Sequence, residues 1–557
     1  MGIYDERPWL ARYREGTPAD IEPEYANGLA MFEAAVERAG DRTAVQYFDS
    51  ALTFAEVDRL SDGLALGFHD LGVQRGDRVA AYMQNVPQFM LTMVASWKVG
   101  AILVSANPML KGAELTRLLA DSGAKLLVCQ ESLYREVVEP IRGETDLREV
   151  ITTSELDFIE GEPPGPLAES VRDRSEDAHD LLELAAAHAG RKPDPIHLAS
   201  EDLAFLTYTS GTTGPPKGAM NTHGNLVFNS QAYRDWIGLT EADVCLGVAP
   251  LFHITGLVGH IGVSILTPMP LVLGFRFDPA ATLDLIEEQG CTFTVGAITV
   301  FTALMNHDSA ESRDFSTFTK LYSGGAPIAP AIVDRFEKLT GAYIHNIYGL
   351  TETTSPSHAV PLGTRAPVDP DSGALSAGVP IFNTLVRILD ESGSELPVGG
   401  IGEICTSGPQ VVPGYWGQPE ETEHALPGGE LHTGDVGFMD EQGFFYLVDR
   451  AKDQINVAGY KVWPREVEDG LLDHDAVMEA AVIGVPDEYR GETVKAFVSL
   501  RPGANVEPDE LIAFCKDRMA AYKYPRQLEI VDALPKTVTG KLLRRELRAQ
   551  EEARTVS

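Results

Sequence analysis

The sequence predicts an α/β protein: a large N-terminal domain of doubly wound sheets with a small β subdomain, then a smaller α+β C-terminal domain. Three observations predict it. From residue 43 to about 350, short continuous apolar runs alternate with helix-like segments, the signature of parallel strands covered on both faces. After about residue 375 the runs become short strands between Gly, Pro and Asp turns. From residue 453 onward a separate mixture of helices and strands begins.

In chain order, residues 1–40 read as an arm and a helix, Thr43 to Phe48 as a strand and Ala55 to Leu71 as a helix. Arg78 to Met83, Ala101 to Val104 and Lys125 to Cys129 read as strands, with helices over Gln88 to Val99 and Gly112 to Asp121. Residues 152–200, rich in Glu, Asp, Pro and Ala, read as a solvated connector with one helix, Asp180 to His188. The alternation resumes with the strand Leu203 to Leu206 and the helix His223 to Trp236. It continues through Val244–Ala249, Leu271–Leu273, Thr292–Val295, Lys320–Tyr322 and Tyr343–Ile347. Thr384–Leu389, Gly402–Thr406, Val436–Met439 and Phe444–Val448 form the β subdomain. The last region reads as helix Arg465–Leu472, strands Met478–Val485 and Thr493–Leu500, helix Glu507–Met519, strand Gln527–Val531 and an Arg-rich helix. The charge-dense run Val448 to Asp453 marks the boundary, placing domains at 1–449 and 450–557 with a hinge at Asp449–Lys452.

With 557 residues, the chain has room for three or four units at about 150 residues each. Its net charge is −37, from 45 basic and 82 acidic residues, which argues against nucleic acid or an anionic membrane surface as a partner. Any polyanion site must therefore gather its cations locally. The five cysteines are scattered, without metal-ligand spacing, and read as free thiols of a reducing compartment. With no secretory h-region and no transmembrane-length apolar run, the expected location is the cytoplasm.

The most informative stretch is Tyr208 to Gly218, Tyr-Thr-Ser-Gly-Thr-Thr-Gly-Pro-Pro-Lys-Gly. Its glycines can turn backbone N–H groups toward an anion, Thr209, Ser210, Thr212 and Thr213 add donors, and Lys217 adds a full charge. It departs from the P-loop pattern, because Pro216 precedes Lys217 and Gly218 follows it. Downstream, His253 stands between the proline of Ala249-Pro250 and an apolar helix; alone it reads as a packed core histidine. Ser323-Gly324-Gly325-Ala326-Pro327 ends a strand, where small residues let a flat ring approach the backbone. Asn346 to Thr354 offers Tyr348 for stacking, Thr351 for a phosphate and Glu352 for Mg²⁺. His432-Thr433-Gly434-Asp435 precedes a strand; its Asp435 could accept a ribose, although alone it reads as a turn aspartate. Pro535 to Lys541 is a turn ending in a lysine, unremarkable by itself.

Together, in this order, these stretches resemble the adenylate-forming superfamily of acyl- and aryl-CoA synthetases, luciferases and peptide-synthetase adenylation domains, most closely its fatty-acid–CoA ligases. The resemblance spans roughly residues 30–545. It implies an AMP-binding N-terminal domain and a mobile C-terminal domain. ATP would activate a carboxylic acid as acyl-AMP with loss of pyrophosphate, and CoA would then take the acyl group. By this resemblance Thr209, Ser210, Gly211, Thr212, Thr213 and Lys217 grip the β- and γ-phosphates. Gly325, Ala326, Pro327, Tyr348 and Gly349 form the adenine pocket; Thr351 meets the α-phosphate and Glu352 holds Mg²⁺. Asp435 and Arg450 hold the ribose, and Lys541 bridges carboxylate and α-phosphate. Lys452 is the hinge residue, and rotation about it exchanges Lys541 for the segment from Gln454 to Lys461, with Gly459, Tyr460 and Lys461 near the thiol tunnel. His253, under this resemblance, gates the acyl and thiol tunnels.

The acyl wall falls to His253 through Gly256 to Val258, to Val295, Gly296, Ala297 and Ile298, to Ser323 and Gly324, and to Gly349 and Leu350, mostly small or apolar positions without a cation for a second carboxylate. This favours a medium- or long-chain fatty acid over a dicarboxylate, with an aromatic acid of the 4-coumarate or benzoate type as the alternative. Asn456 and Ala458 stand where plant-type aryl-CoA ligases carry lysines, which counts against that alternative. A free-standing ligase that loads a carrier protein, and a non-catalytic nucleotide sensor, are the further alternatives; a sensor has no use for Lys541. The oligomeric state stays open between monomer and homodimer.

Overall fold

The computed structural model describes residues 2–209, 216–326, 328–370, 373–450, 453, 455–457, 460–487, 490–536 and 542–556. The α/β class holds. Its first large sheet has seven strands in the spatial order His179–Asp180, Glu149–Thr153, Leu126–Gln130, Arg78–Tyr82, Ile102–Ala106, Leu203–Tyr208 and Gly218–Thr222. All neighbours are parallel except the last pair. The second has nine strands, with Ile344–Tyr348, Lys320–Ser323, Phe293–Gly296, Cys245–Leu246, Leu271–Leu273 and Thr43–Tyr47 forming its parallel centre.

Side-chain alternation explains how the sheets stack. Val79 and Ala81 point into a core shared with Val45, Leu271, Phe293 and Tyr322 of the second sheet. Ala80 and Tyr82, one residue out of phase, pack outward against Leu115 and Leu119. Helix Pro87–Lys98 is buried at every position, and the hydroxyls of its polar row are satisfied within the helix: Thr92 Oγ1 donates to Gln88 O (2.8 Å) and Ser96 Oγ to Thr92 O (2.7 Å). Helix His223–Ile237 starts in a reciprocal cap: Asn225 N–H donates to Thr222 Oγ1 (3.1 Å) and Thr222 N–H to Asn225 Oδ1 (2.9 Å).

A four-stranded antiparallel sheet follows, Leu385–Leu389, Gly402–Ser407, Leu431–Met439 and Phe445–Arg450. The last sheet comprises Tyr460–Val462, Ile455–Val457, Gly491–Leu500 and Val477–Asp487, with Gln527–Ile530 paired to Gly491–Leu500. Helices Pro464–Leu472, Pro508–Lys516 and Arg544–Val556 accompany it. No helix among the described residues is long and apolar enough to cross a membrane.

Several elements differ from expectation. The chain does not pass from the glycine-rich stretch straight into a helix: Gly218–Thr222 returns antiparallel along Leu203–Tyr208, because pairing supplies what its weak strand formers lack. His432-Thr433-Gly434-Asp435 lies inside a strand rather than before one, with Gly434 at φ +70° where the ladder to Gly402–Ser407 slips register. The connector adds a two-residue edge strand, His179–Asp180. The apolar helix after His253 begins as a π-helix, Gly256–Gly262.

Candidate active site

Three parallel strands, Phe293–Gly296, Lys320–Ser323 and Ile344–Tyr348, end side by side, with Gly296 paired to Ser323 and Ser323 to Asn346. The C-terminal edge of such a sheet is where open α/β folds bind ligands. Gly324 N–H donates to Gly296 O (3.2 Å). A Cβ on Gly324 would stand 2.4 Å from Ile347 O, so the strand ends approach this closely only with glycine there. Gly325 has φ +81° and turns the chain across the sheet edge.

Beyond this edge lies a cavity of about 300 Å³ whose walls include Gly325, Ala326, Tyr348, Gly349 and Asp435. Of the residues expected to bind adenine and ribose, Gly325, Ala326, Tyr348, Gly349 and Asp435 thus meet around one space; Pro327 and the Arg450 side chain lie outside what the structure describes. Tyr348 Oη donates to Asp435 Oδ2 (2.8 Å). The Tyr348 ring is backed edge-on by His358, which in turn meets Phe445. Arg450 is the strand partner of Asp435.

The far side of the cavity is C-terminal. Asp453, Arg465, Glu468, Asp469 and Arg544 line it, as does Leu542. Arg544 bonds Glu468 (Nη2 to Oε2, 2.7 Å), Arg548 bonds Asp453 (2.8 Å), and Arg465 Nη1 donates to Leu447 O (2.7 Å). Burial pushes the Asp469 carboxyl up to about 7, against the pull of Arg465. Lys541 lies outside the described residues; its flanks Lys536 and Leu542 pair as an antiparallel bridge.

Thr351 and Glu352 sit in a short turn, Thr351–Thr353, that two buried amides hold from below. Asn221 Nδ2 donates to Thr351 O (3.2 Å), and Asn229 Nδ2 to Thr353 O and Thr354 O (2.9 and 2.8 Å). Tyr415 Oη donates to Glu352 Oε1 (2.7 Å). Burial, reinforced by the Glu352 charge, holds the Tyr415 phenol far above its ordinary pKa, so it stays a donor. At the foot of the glycine-rich stretch, Thr209 N–H donates to Lys217 O (3.0 Å), and Lys217 N–H to Thr209 Oγ1 (3.3 Å). The Lys217 ammonium lies 5.0 Å from the centre of the Tyr415 ring and pairs with Glu421. Ser210, Gly211, Thr212 and Thr213 lie outside the described residues.

The expected acyl wall gathers at neighbouring strand ends; its Ile298, Gly349 and Leu350 line the cavity, whereas His253, Gly256, Val295, Gly296, Ala297 and Gly324 do not. A Cβ on Gly259 would come within 2.8 Å of Val295 Cγ1, so the π-helix lies directly on the strand that carries Val295 and Gly296 and leads into Ala297. On Gly256 it would meet Pro250 O at 2.2 Å, which closes the turn around His253. His253 Nδ1 accepts from Thr255 N–H (3.3 Å), and Ala249 N–H donates to His260 Nε2 (3.1 Å), anchoring the approach to His253. Tyr460 and Lys461 pair with Val457 and Asn456 in a hairpin; Lys452 and Gly459 lie outside the described residues.

Sequence reasoning missed Tyr415, Glu421, Asn221, Asn229, Arg465 and Arg544. Each acts through a partner distant in sequence, so no local motif announces it.

At this sheet edge glycines, Tyr348 and Asp435 meet about one cavity, and the turn that carries Thr351 and Glu352 follows directly from its Gly349 and Leu350 wall. The AMP-binding enzyme family matches residues 32–416 and its C-terminal domain residues 466–541. A long-chain-fatty-acid–CoA ligase of Bacillus subtilis (strain 168) is 35% identical over 99% of this chain and 99% of its own. A feruloyl-CoA synthase of Amycolatopsis sp is 38% identical over 91% of this chain and 95% of its own. Among solved structures, the anthranilate CoA ligase AuaEII in complex with anthranoyl-AMP superposes with a TM-score of 0.87 at 27% identity, covering 96% of this chain and 99% of its own. ATP-bound MatB from Rhodopseudomonas palustris gives 0.82 at 28%, covering 94% and 99%. The chain belongs to the AMP-binding, adenylate-forming enzyme family, and is an acyl- or aryl-CoA ligase that uses ATP and CoA.

Proposed function

We propose that this enzyme activates a medium- or long-chain fatty acid as acyl-AMP and transfers the acyl group to CoA. The observation that carries the proposal is the cavity shared by Gly325, Ala326, Tyr348 and Asp435, in a chain that aligns end to end with a long-chain-fatty-acid–CoA ligase. In the first half-reaction a carboxylate oxygen attacks the α-phosphorus of ATP, and pyrophosphate leaves with the electrons of the broken P–O bond. Two anions must approach, so cations and oriented donors lower the barrier. Lys217 and the Thr209–Thr213 stretch hold the departing phosphates, Thr351 the α-phosphate, Asp435 and Arg450 the ribose. Lys541 sits between the carboxylate and the phosphorus.

The surroundings of Glu352 fit Mg²⁺: a carboxylate oriented at one oxygen by the Tyr415 hydroxyl offers the hard oxygen ligand that this ion prefers. Bound there, Mg²⁺ would neutralise phosphate charge. In the second half-reaction the CoA sulfur attacks the acyl carbon and AMP leaves with the electrons of the C–O bond. The domain boundary at 449/450, rotation about Lys452 and gating by His253 belong to this proposal. So does a reducing, cytoplasmic setting, supported by five buried free cysteines.

An aryl acid is the second reading, favoured by the 38% identity to a feruloyl-CoA synthase. CoA thioester formation with octanoate, palmitate and 4-coumarate, measured by mass, tests the choice. Turnover of the aliphatic acids is expected; turnover of 4-coumarate alone would replace this reading with the aryl one. Running the same panel with a phosphopantetheinylated carrier protein tests the acceptor: transfer to CoA is expected, and transfer only to the carrier would overturn it.

A further inference from the structure

We infer that Glu421 is a built-in counter-anion that competes with the ATP triphosphate for Lys217 and so sets the affinity for ATP. The inference rests on the proposed ATP site. Lys217 is held at its backbone by the two Thr209 hydrogen bonds, and its ammonium meets Glu421, carried on the short helix Pro419–Ala425. The encounter is enforced by the main chain. Trp416 N–H donates to Gly218 O (2.8 Å) and Met220 N–H to Gly414 O (3.0 Å), stitching the segment before the helix to the strand that leaves the lysine. Tyr415 N–H donates to Thr422 Oγ1 (2.9 Å), fixing the helix against that segment. A Cβ on Gly414 would lie 2.4 Å from Thr422 Cγ2, so this approach requires glycine.

The Tyr415 ring lies 5.0 Å from the same ammonium, while its hydroxyl bonds Glu352, so Glu421, Lys217, Tyr415 and Glu352 form one continuous chain of contacts. The Lys217 hydrogen bond holds the Glu421 carboxyl below its ordinary range, which keeps it charged at neutral pH. The Lys217 and Glu421 side chains are 29% and 48% exposed, so the pair is solvated and exchangeable: strong enough to orient the lysine, weak enough for a triphosphate to displace. In a chain of net charge −37, an acid at this one cation weighs directly on polyanion binding.

The test is ATP and AMP binding by titration calorimetry to wild type, Glu421→Gln, Glu420→Gln, Lys217→Met and Lys217→Met/Glu421→Gln, with melting curves to establish folding. Glu421→Gln is expected to tighten ATP about 2- to 5-fold, the size of a solvated ion pair, and to leave AMP unchanged. The gain should vanish in the Lys217→Met background, and the exposed neighbour Glu420→Gln should not reproduce it. Unchanged or weakened ATP binding by Glu421→Gln, an equal gain for AMP, or an equal gain from Glu420→Gln would overturn the inference while leaving the ATP site standing. A wild-type protein that binds no ATP would remove the site and the inference together.

Discussion

One hydroxyl proton joins two neighbouring residues of the cavity wall: Tyr348 donates it to Asp435 across 87 residues of sequence. Tyr348→Phe keeps the ring and deletes the donor. A hydrogen bond to a charged acceptor contributes about 1.5–3 kcal/mol, so apparent ATP affinity should fall about tenfold or more, with kcat changing far less. Steady-state kinetics in ATP would show it, and a fall in kcat at unchanged KM would contradict the placement. Lys541→Ala should abolish acyl-AMP formation, yet largely preserve thioester formation from supplied acyl-AMP; equal loss of both half-reactions would contradict the role proposed for it. Lys217, Glu352, Asp435 and Lys541 stand out as candidates in the sequence because each lies in a short motif that the family resemblance picks out. Tyr415 and Glu421 do not: their partners lie 63 and 204 residues away, and only the fold brings them together.

Among elements, the turn carrying Thr351 and Glu352 depends on the helix His223–Ile237 beneath it. Asn229 is fully buried there, and Asn229→Ala would strand the carbonyls of Thr353 and Thr354. Unsatisfied buried groups cost about 1–3 kcal/mol, so the melting temperature should fall by a few degrees, and adenylation should weaken along with it. Gly324→Ala should be worse for activity than for stability. Its Cβ, 2.4 Å from Ile347 O, forces apart the strand ends that frame the site, whereas the strands themselves stay paired. The strand pattern was readable at buried parallel strands such as Arg78–Tyr82 and Leu126–Gln130, but not at Glu149–Thr153, whose glutamate and threonines break the apolar run. It failed at Gly218–Thr222 and at residues 431–435, the first half of strand Leu431–Met439, where glycines and polar residues occupy strand positions imposed by neighbours.

For the whole molecule, two opposing effects govern acid stability. Burial pushes His223, His260 and His345 down to about 4 and His358 to about 3. Each is neutral when folded and protonates near 6.5 when unfolded, so the unfolded chain binds more protons between these values. The stability they contribute is present above 6.5 and is lost as pH falls toward 4, about 2 kcal/mol for each by pH 5. Against this, the buried Asp469, pushed up to about 7, takes up a proton in the folded state over the same range and gains stability as pH falls, and acidification relieves the repulsion of a chain carrying −37. Four histidines buried in well-packed sites outweigh one aspartate and screened surface repulsion. Calorimetry should show the melting temperature falling from pH 7 to pH 5; a steady rise would show that the opposing effects dominate. The α/β class was legible from apolar periodicity alone. The meeting of Arg465 with Leu447 O, and of Arg544 with Glu468 and Asp453 around one cavity, was not, because packing between sheets leaves no periodic trace.

The most direct test of the central claim is exchange of labelled pyrophosphate into ATP, measured without CoA, in the presence and absence of palmitate. Palmitate-dependent exchange is predicted, with AMP appearing only once CoA is added. Exchange indifferent to palmitate and octanoate alike, or release of ADP and orthophosphate in place of AMP and pyrophosphate, would contradict it.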